Sequence, residues 1–236
     1  MIAWCLWLGT MAMCAAGLVA TLLVTRPLTV AVLAQGAMFA VAFPLGYATV
    51  GLVLGLRRPA NPIGWLFATS GLIWSLTIPL GPWLDQLVLE NRPLPLAAKL
   101  AAVVGEYNWA PAVAYGITLP ALLVPDGRLR SRRWRPVAAA IGPVVGLVCG
   151  SLAPGEFQET ARPIPSPFAL AGAPGVVASV VGIAGLVVWL ASMLAALVSL
   201  VLRFRASRGV ERQQLRWVVA GAAGAVAGCW SGWPAW

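Results

Sequence analysis

Seven apolar stretches separated by short polar interruptions make up the chain, at about 2–24, 28–56, 63–83, 98–124, 137–153, 176–202 and 218–236. Roughly 20 predominantly apolar residues, rising 1.5 Å each, cross a bilayer. Each stretch therefore predicts a transmembrane helix, the fifth being the shortest. The interruptions alternate in character. Three of them hold twelve of the sixteen basic residues: Arg57 and Arg58; Arg128, Arg130, Arg132, Arg133 and Arg135; and Arg203, Arg205, Arg208, Arg212 and Arg216. Short loops rich in arginine stay in the cytoplasm, and alternating span direction from an inside N-terminus puts all three clusters there. The expectation is an all-α, polytopic transmembrane helix bundle of about seven spans, N-terminus cytoplasmic, with residues 1–236 forming one membrane-embedded domain and no soluble catalytic domain.

The remaining interruptions then face outward, at 25–27, about 84–97, and 154–175. The last holds prolines at 154, 163, 165, 167 and 174, which argue against a regular element. Its roughly 22 residues fall below the ~40 that an independent sensor domain needs.

Composition agrees with a membrane solvent. Sixty per cent of residues are hydrophobic and 10% charged, with mean hydropathy +0.86, too little polar surface for a soluble globule of 236 residues. The net charge of +9 would suggest nucleic acid in a soluble chain. Here it divides by side. The inner loops set twelve basic residues against Asp126 and Glu211. The outer loops balance Arg26, Arg92, Lys99 and Arg162 against Asp85, Glu90, Glu156 and Glu159, and Glu106 falls within a span. The charge is topological first, with attraction to anionic inner-leaflet lipid second; no nucleic-acid partner is expected.

Candidate chemistry is sparse. The chain has no histidine, and Cys5, Cys14, Cys149 and Cys229 stand singly in apolar stretches, reading as small buried hydrophobes and not as a zinc set or disulfides. No Gly-rich nucleotide cradle or paired-carboxylate site is evident, so no catalytic residue, cofactor or metal is expected. Glu106, followed by Tyr107, Asn108 and Trp109, is the one acid inside a predicted span, and such a group is a functional candidate. It lies about 27 Å along a helix from Val124, which sets it at the outer interface; a buried ligand or proton site is the alternative. Gln35 and Asn108 are the other polar candidates for sensing or ligand contact.

Pro44, Pro111, Pro120 and Pro143 fall within spans and predict kinks. Glycines four apart at Gly142, Gly146 and Gly150, and at Gly224, Gly228 and Gly232, form ridges that allow close helix approach. They serve packing inside one bundle or a homodimer face. Trp4, Trp7, Trp65, Trp83, Trp134, Trp217, Trp233 and Trp236 lie near predicted span ends, as interface anchors do.

The inner loops carry the most specific wording: Arg58, Pro59, Asn61, Pro62, Gly64 and Trp65 in RPANPIGW; Pro125, Asp126, Gly127 and Arg128 in PDGRL; and Glu211, Arg212, Gln213 and Gln214 in GVERQQLRW. In wording and order these resemble the N-terminal membrane region of actinobacterial-type sensor histidine kinases. The resemblance implies a multi-pass protein of the bacterial plasma membrane that passes a signal to a cytoplasmic kinase. The chain departs from that pattern after its seventh stretch and has no phosphoacceptor histidine. It is therefore expected to be a non-enzymatic sensory module, from a truncated or frame-shifted gene product. The alternatives are a transporter lined by Glu106 and Gln35, and a scaffold associating through its glycine ridges.

Overall fold

A computed structural model describes residues 1–24, 30–124, 127–129, 134–135, 141–158 and 160–206, with backbone alone for 24, 30–40, 141–143 and 206. The described chain is mostly helical: α1 (Ile2–Val24), α2 (Val30–Arg57), α3 (Pro62–Ser75), α4 (Thr77–Leu89), α5 (Leu96–Tyr107), α6 (Trp109–Val113), a π-helical segment (Ala114–Thr118), α7 (Leu119–Leu123), α8 (Ile141–Leu152) and α9 (Ala173–Ala206). Among the described residues, three stretches are long and apolar enough to cross a membrane: Ile2–Leu23, Pro62–Leu89 and Ala173–Arg205. Val41–Arg57 and Trp109–Leu123 are shorter apolar helices. The expected seventh span lies outside the described residues.

Local chemistry explains the boundaries of α3 and α4. Asn61 caps α3 by accepting from the Ile63 N–H at 3.0 Å, and Pro62 takes the first helical position, where no N–H is missed. The α3/α4 break at Leu76 follows from Pro79, which leaves the Ser75 carbonyl without its i+4 donor. The hydroxyls of Ser75 and Thr77 donate to the Leu72 and Trp74 carbonyls there. Beyond the break the helix runs to Leu89, so the expected outer loop at 84–97 shrinks to residues 90–95. Asn91 ends α4 in the left-handed region at φ 51°, with Arg92 N–H reaching back to the Leu87 carbonyl at 3.0 Å.

The fourth expected span is a chain of short pieces. Pro111 and Pro120 free the carbonyls of Tyr107 and Gly116, and the helix between them widens into the π-helical segment. Pro44 and Pro82 stay within continuous helices.

Helices α2 and α3 form a tight antiparallel pair, against which α1 packs; α3 also contacts α6 and the π-helical segment, and α8 pairs with α9. The α2–α3 approach depends on absent side chains. A Cβ on Gly64 would sit 2.7 Å from the Gly55 nitrogen, and one on Gly71 would sit 2.6 Å from the Pro44 carbonyl oxygen. Residues 154–175, expected to lack regular structure, contain a two-residue antiparallel pair, β1 (Glu156–Phe157) with β2 (Ile164–Pro165). Pro165 is tolerated because its missing N–H falls at the edge of so short a ladder. Phe157 and Ile164 turn inward onto Leu84, Ala98, Ala101 and Ala102, a buried cluster at this end of the molecule.

Replacing Gly64 with Val should cost about 2 kcal/mol through overpacking, read as lowered thermal stability in detergent. Gly46→Ala, within α2 and with nothing within 4 Å of the added carbon, should not lower stability and should raise it by up to about 1 kcal/mol through helix propensity.

Candidate functional site

The polar chemistry gathers at the two ends of the helices, with an apolar cleft between. At one end lie the arginine-rich turns. Gly127, at φ 71°, packs onto the α2–α3 turn: a Cβ there would sit 2.6 Å from both Asn61 Oδ1 and Pro62 Cδ, so the two loops touch. Only glycine meets both the left-handed backbone and the close approach. Trp65 donates its indole N–H to the Pro59 carbonyl at 2.9 Å, closing the same turn. The half-buried Arg203, in the last turns of α9, donates to the carbonyls of Val124, of Leu122 at 3.0 Å and of Arg128 at 2.6 Å. Two of these are carbonyls at the end of α7, which lack intrahelical donors. A planar guanidinium with five donors suits several acceptors at once, as an ammonium does not. Asn61 and Pro62, next to the first arginine cluster, and Gly127, Arg128 and Arg203 thus gather at one end.

The opposite end is held by carboxylates. Glu106 accepts from the Gln158 N–H at 3.0 Å, and Asp85 accepts from the Ala161 N–H at 2.6 Å. Both acids hold the β1–β2 loop by its backbone. Ser166 secures the loop's far side, its hydroxyl donating to the Ser151 carbonyl at 3.0 Å. The ring of Tyr107 meets Phe157 edge-on at 5.7 Å between centroids.

Asn108 is buried inside the molecule, and its side-chain amide donates to the Ile73 carbonyl at 2.5 Å. Ser70 donates to the Ala112 carbonyl at 2.8 Å. Both side chains bridge α3 to the broken helix across from it. Gln35 lies on α2 with its side chain outside the described residues, as do Pro125, Asp126, Glu211, Arg212, Gln213, Gln214, Gly224, Gly228 and Gly232.

Between the ends, α8 and α9 diverge from the α5–α6 junction and leave a cleft of about 270 Å3. Tyr107, Trp109, Gly146, Gly150, Gly182 and Trp189 contribute walls. Gly150 packs under the Tyr107 ring and Gly182 backs onto Gly150, whereas Gly146 faces open space; Gly142 lies on the same helix. The Trp109 and Trp189 rings approach to 5.2 Å. Trp109 thus stacks within the cleft. Glu106 is next to the cleft in sequence but lines the loop contact.

Asp85, Trp189 and Arg203 were not singled out by sequence reasoning as site residues. Their partners are 76 residues away for Asp85 and 75 to 81 for Arg203, so no local pattern exposes them. Compared with known proteins, the chain matches no family model, no curated protein and no solved structure.

Removing either carboxylate anchor, by Asp85→Ala or Glu106→Ala, should free the β1–β2 loop at a cost of about 1 kcal/mol, since both bonds are partly solvated. Hydrogen exchange at Gln158 and Ala161 should rise several-fold, with that of α2 unchanged.

Proposed function

We propose that the chain is a multi-pass membrane sensory module of the bacterial plasma membrane, resembling the input region of a sensor histidine kinase and itself performing no catalysis. The observation that carries this reading is the course of α9. One continuous helix lines the cleft with Ser179, Gly182 and Trp189 and, about 32 Å further along from Gly182, places Arg203 among the carbonyls of the arginine-rich turns. A change in how the cleft is filled bears on a rod whose far end holds those turns together.

The basic end is cytoplasmic in this reading, by the preference of short arginine-rich loops, with anionic inner-leaflet lipid against it. The carboxylate-held loop then faces outward, and about seven spans in all accommodate the remaining apolar stretches. Signalling follows as a shift between two packings of α9, driven only by what interacts differently with each. The three phrases resembling the kinase family support the same reading, since those described fall at the turns where Asn61, Pro62, Trp65, Gly127 and Arg203 meet.

Mechanical coupling is testable without knowing the signal. Gly182→Leu wedges α9 from α8, where a Cβ already lies 3.5 Å from the Gly150 nitrogen. In lipid nanodiscs it should raise hydrogen exchange at residues 127–129 several-fold, with exchange of α1 unchanged. In an Arg203→Ala background, where the turn is already loosened, the same wedge should add nothing. Equal effects of the wedge with and without Arg203 would contradict the reading.

A further inference from the structure

We propose that the cleft between α5, α6, α8 and α9 holds a single hydrocarbon chain of a bilayer lipid, taken from the leaflet at the end of the β1–β2 loop. The mouth of the cleft is apolar and open. Ile183, Leu186 and Trp109 line it and are 63%, 42% and 42% exposed, so the same residues form cleft wall and outer surface. That surface continues along α9 through Val180, Val187, Leu190 and Leu194, all exposed, on a helix long and apolar enough to cross a membrane. In a bilayer the medium against the mouth is lipid chain, and the cleft opens to it sideways.

The lining selects a hydrocarbon. No charged side chain borders the cleft, so a charged occupant would enter without a counter-ion, which the membrane interior penalises. Ser179 gives its hydroxyl to the Gly175 carbonyl at 3.0 Å. Trp189 Nε1 is buried without a partner among the described residues, out of contact with any occupant. The Tyr107 hydroxyl and the Trp109 indole N–H remain, both within three residues of Glu106, whose carboxylate holds the loop. Tyr and Trp at that level suit the boundary where the ester groups of a lipid give way to its chains. The carboxyl end of the chain therefore lies by Tyr107 and Trp109, and the methyl end points toward Trp189.

Width decides between a chain and a helix. The cleft's α9 wall runs from Ser179 to Trp189, about 15 Å at 1.5 Å per residue. A volume of about 270 Å3 over that length averages about 18 Å2 in section, whereas an α-helix about 10 Å across needs about 80 Å2. A helix from a second copy of the chain does not fit, and one extended hydrocarbon chain does. Set against the ~150 Å3 of an apolar cavity that takes one benzene, the cleft accommodates roughly ten carbon atoms. Gly146 makes the room, since nothing lies within 4 Å of where its side chain would begin. The inference rests on the membrane setting proposed above and not on the coupling of α9 to the arginine-rich turns.

The test uses the full chain in nanodiscs whose phospholipid carries a photoreactive diazirine midway along one acyl chain, with labelled residues mapped by tandem mass spectrometry. Helix α8 supplies its own comparison. Val144 and Val148 are exposed and stand outside the cleft, whereas the half-buried Leu147 lines it. Light should label Leu147 at a yield comparable to that of Val148. Gly146→Leu, which fills the cleft, should lower labelling of Leu147 several-fold and leave that of Val148 unchanged. Gly146→Ala adds one carbon to the same open space without the bulk that could prevent folding, and should halve the labelling of Leu147. Label on Val148 with none on Leu147 overturns the proposal, the cleft then being closed or covered by a second copy. Labelling of Leu147 that survives both substitutions also overturns it, the contact then being ordinary surrounding lipid. Label on neither face overturns the membrane setting and this inference with it.

Discussion

Backbone carbonyls at helix breaks and helix ends are the constraint around which this molecule is built. In apolar surroundings an unmet carbonyl has no water to turn to, and prolines at 79, 111 and 120 create several such groups within helices. Described polar side chains donate to carbonyls that flank these breaks. Ser75 and Thr77 serve the α3/α4 break, Asn108 and Ser70 reach across to the Ile73 and Ala112 carbonyls, and Arg203 serves the end of α7. Remove these donors and the irregular helix of α5 to α7 loses its reason to hold one shape.

The same constraint joins the two ends of the structure. Arg203 is on α9 because α9 is long enough, at 34 residues, to pass the cleft and still reach the arginine-rich turns. A helix of about 51 Å exceeds the ~30 Å of a hydrocarbon core, and its last turn carries Arg203 and Arg205. At the other end, Asp85 and Glu106 use the opposite charge for a related purpose, accepting from the exposed backbone of the β1–β2 loop. Cations thus satisfy carbonyls at one end and anions satisfy N–H groups at the other.

Much of this was legible in the sequence where the cause is local. Apolar runs foreshadowed α1, α2, α3 with α4, and α9, and Asn61, Pro62 and Gly127 lay in the interruptions between such runs. What remained hidden depends on distance along the chain. Glu106 read as an interfacial or buried acid, yet its partner is the Gln158 N–H, 52 residues on. The proline-rich segment at 154–175 read as irregular, because two paired residues are too short a strand to leave a pattern and Phe157 finds its core only in three dimensions. Trp189 looked like any aromatic in an apolar run; its unmet N–H exists only once α8 and α9 are packed.

In the reading proposed above the molecule is two-ended, with basic turns on one side of a membrane and the carboxylate-held loop on the other. Single cysteines at Ala60, Arg205 and Gln158, in a chain whose native cysteines are replaced by alanine, test it directly with a membrane-impermeant thiol reagent on intact cells. Labelling is expected at Gln158→Cys on intact cells, and at Ala60→Cys and Arg205→Cys only after permeabilisation. Labelling of Ala60→Cys and Gln158→Cys from the same side would contradict it.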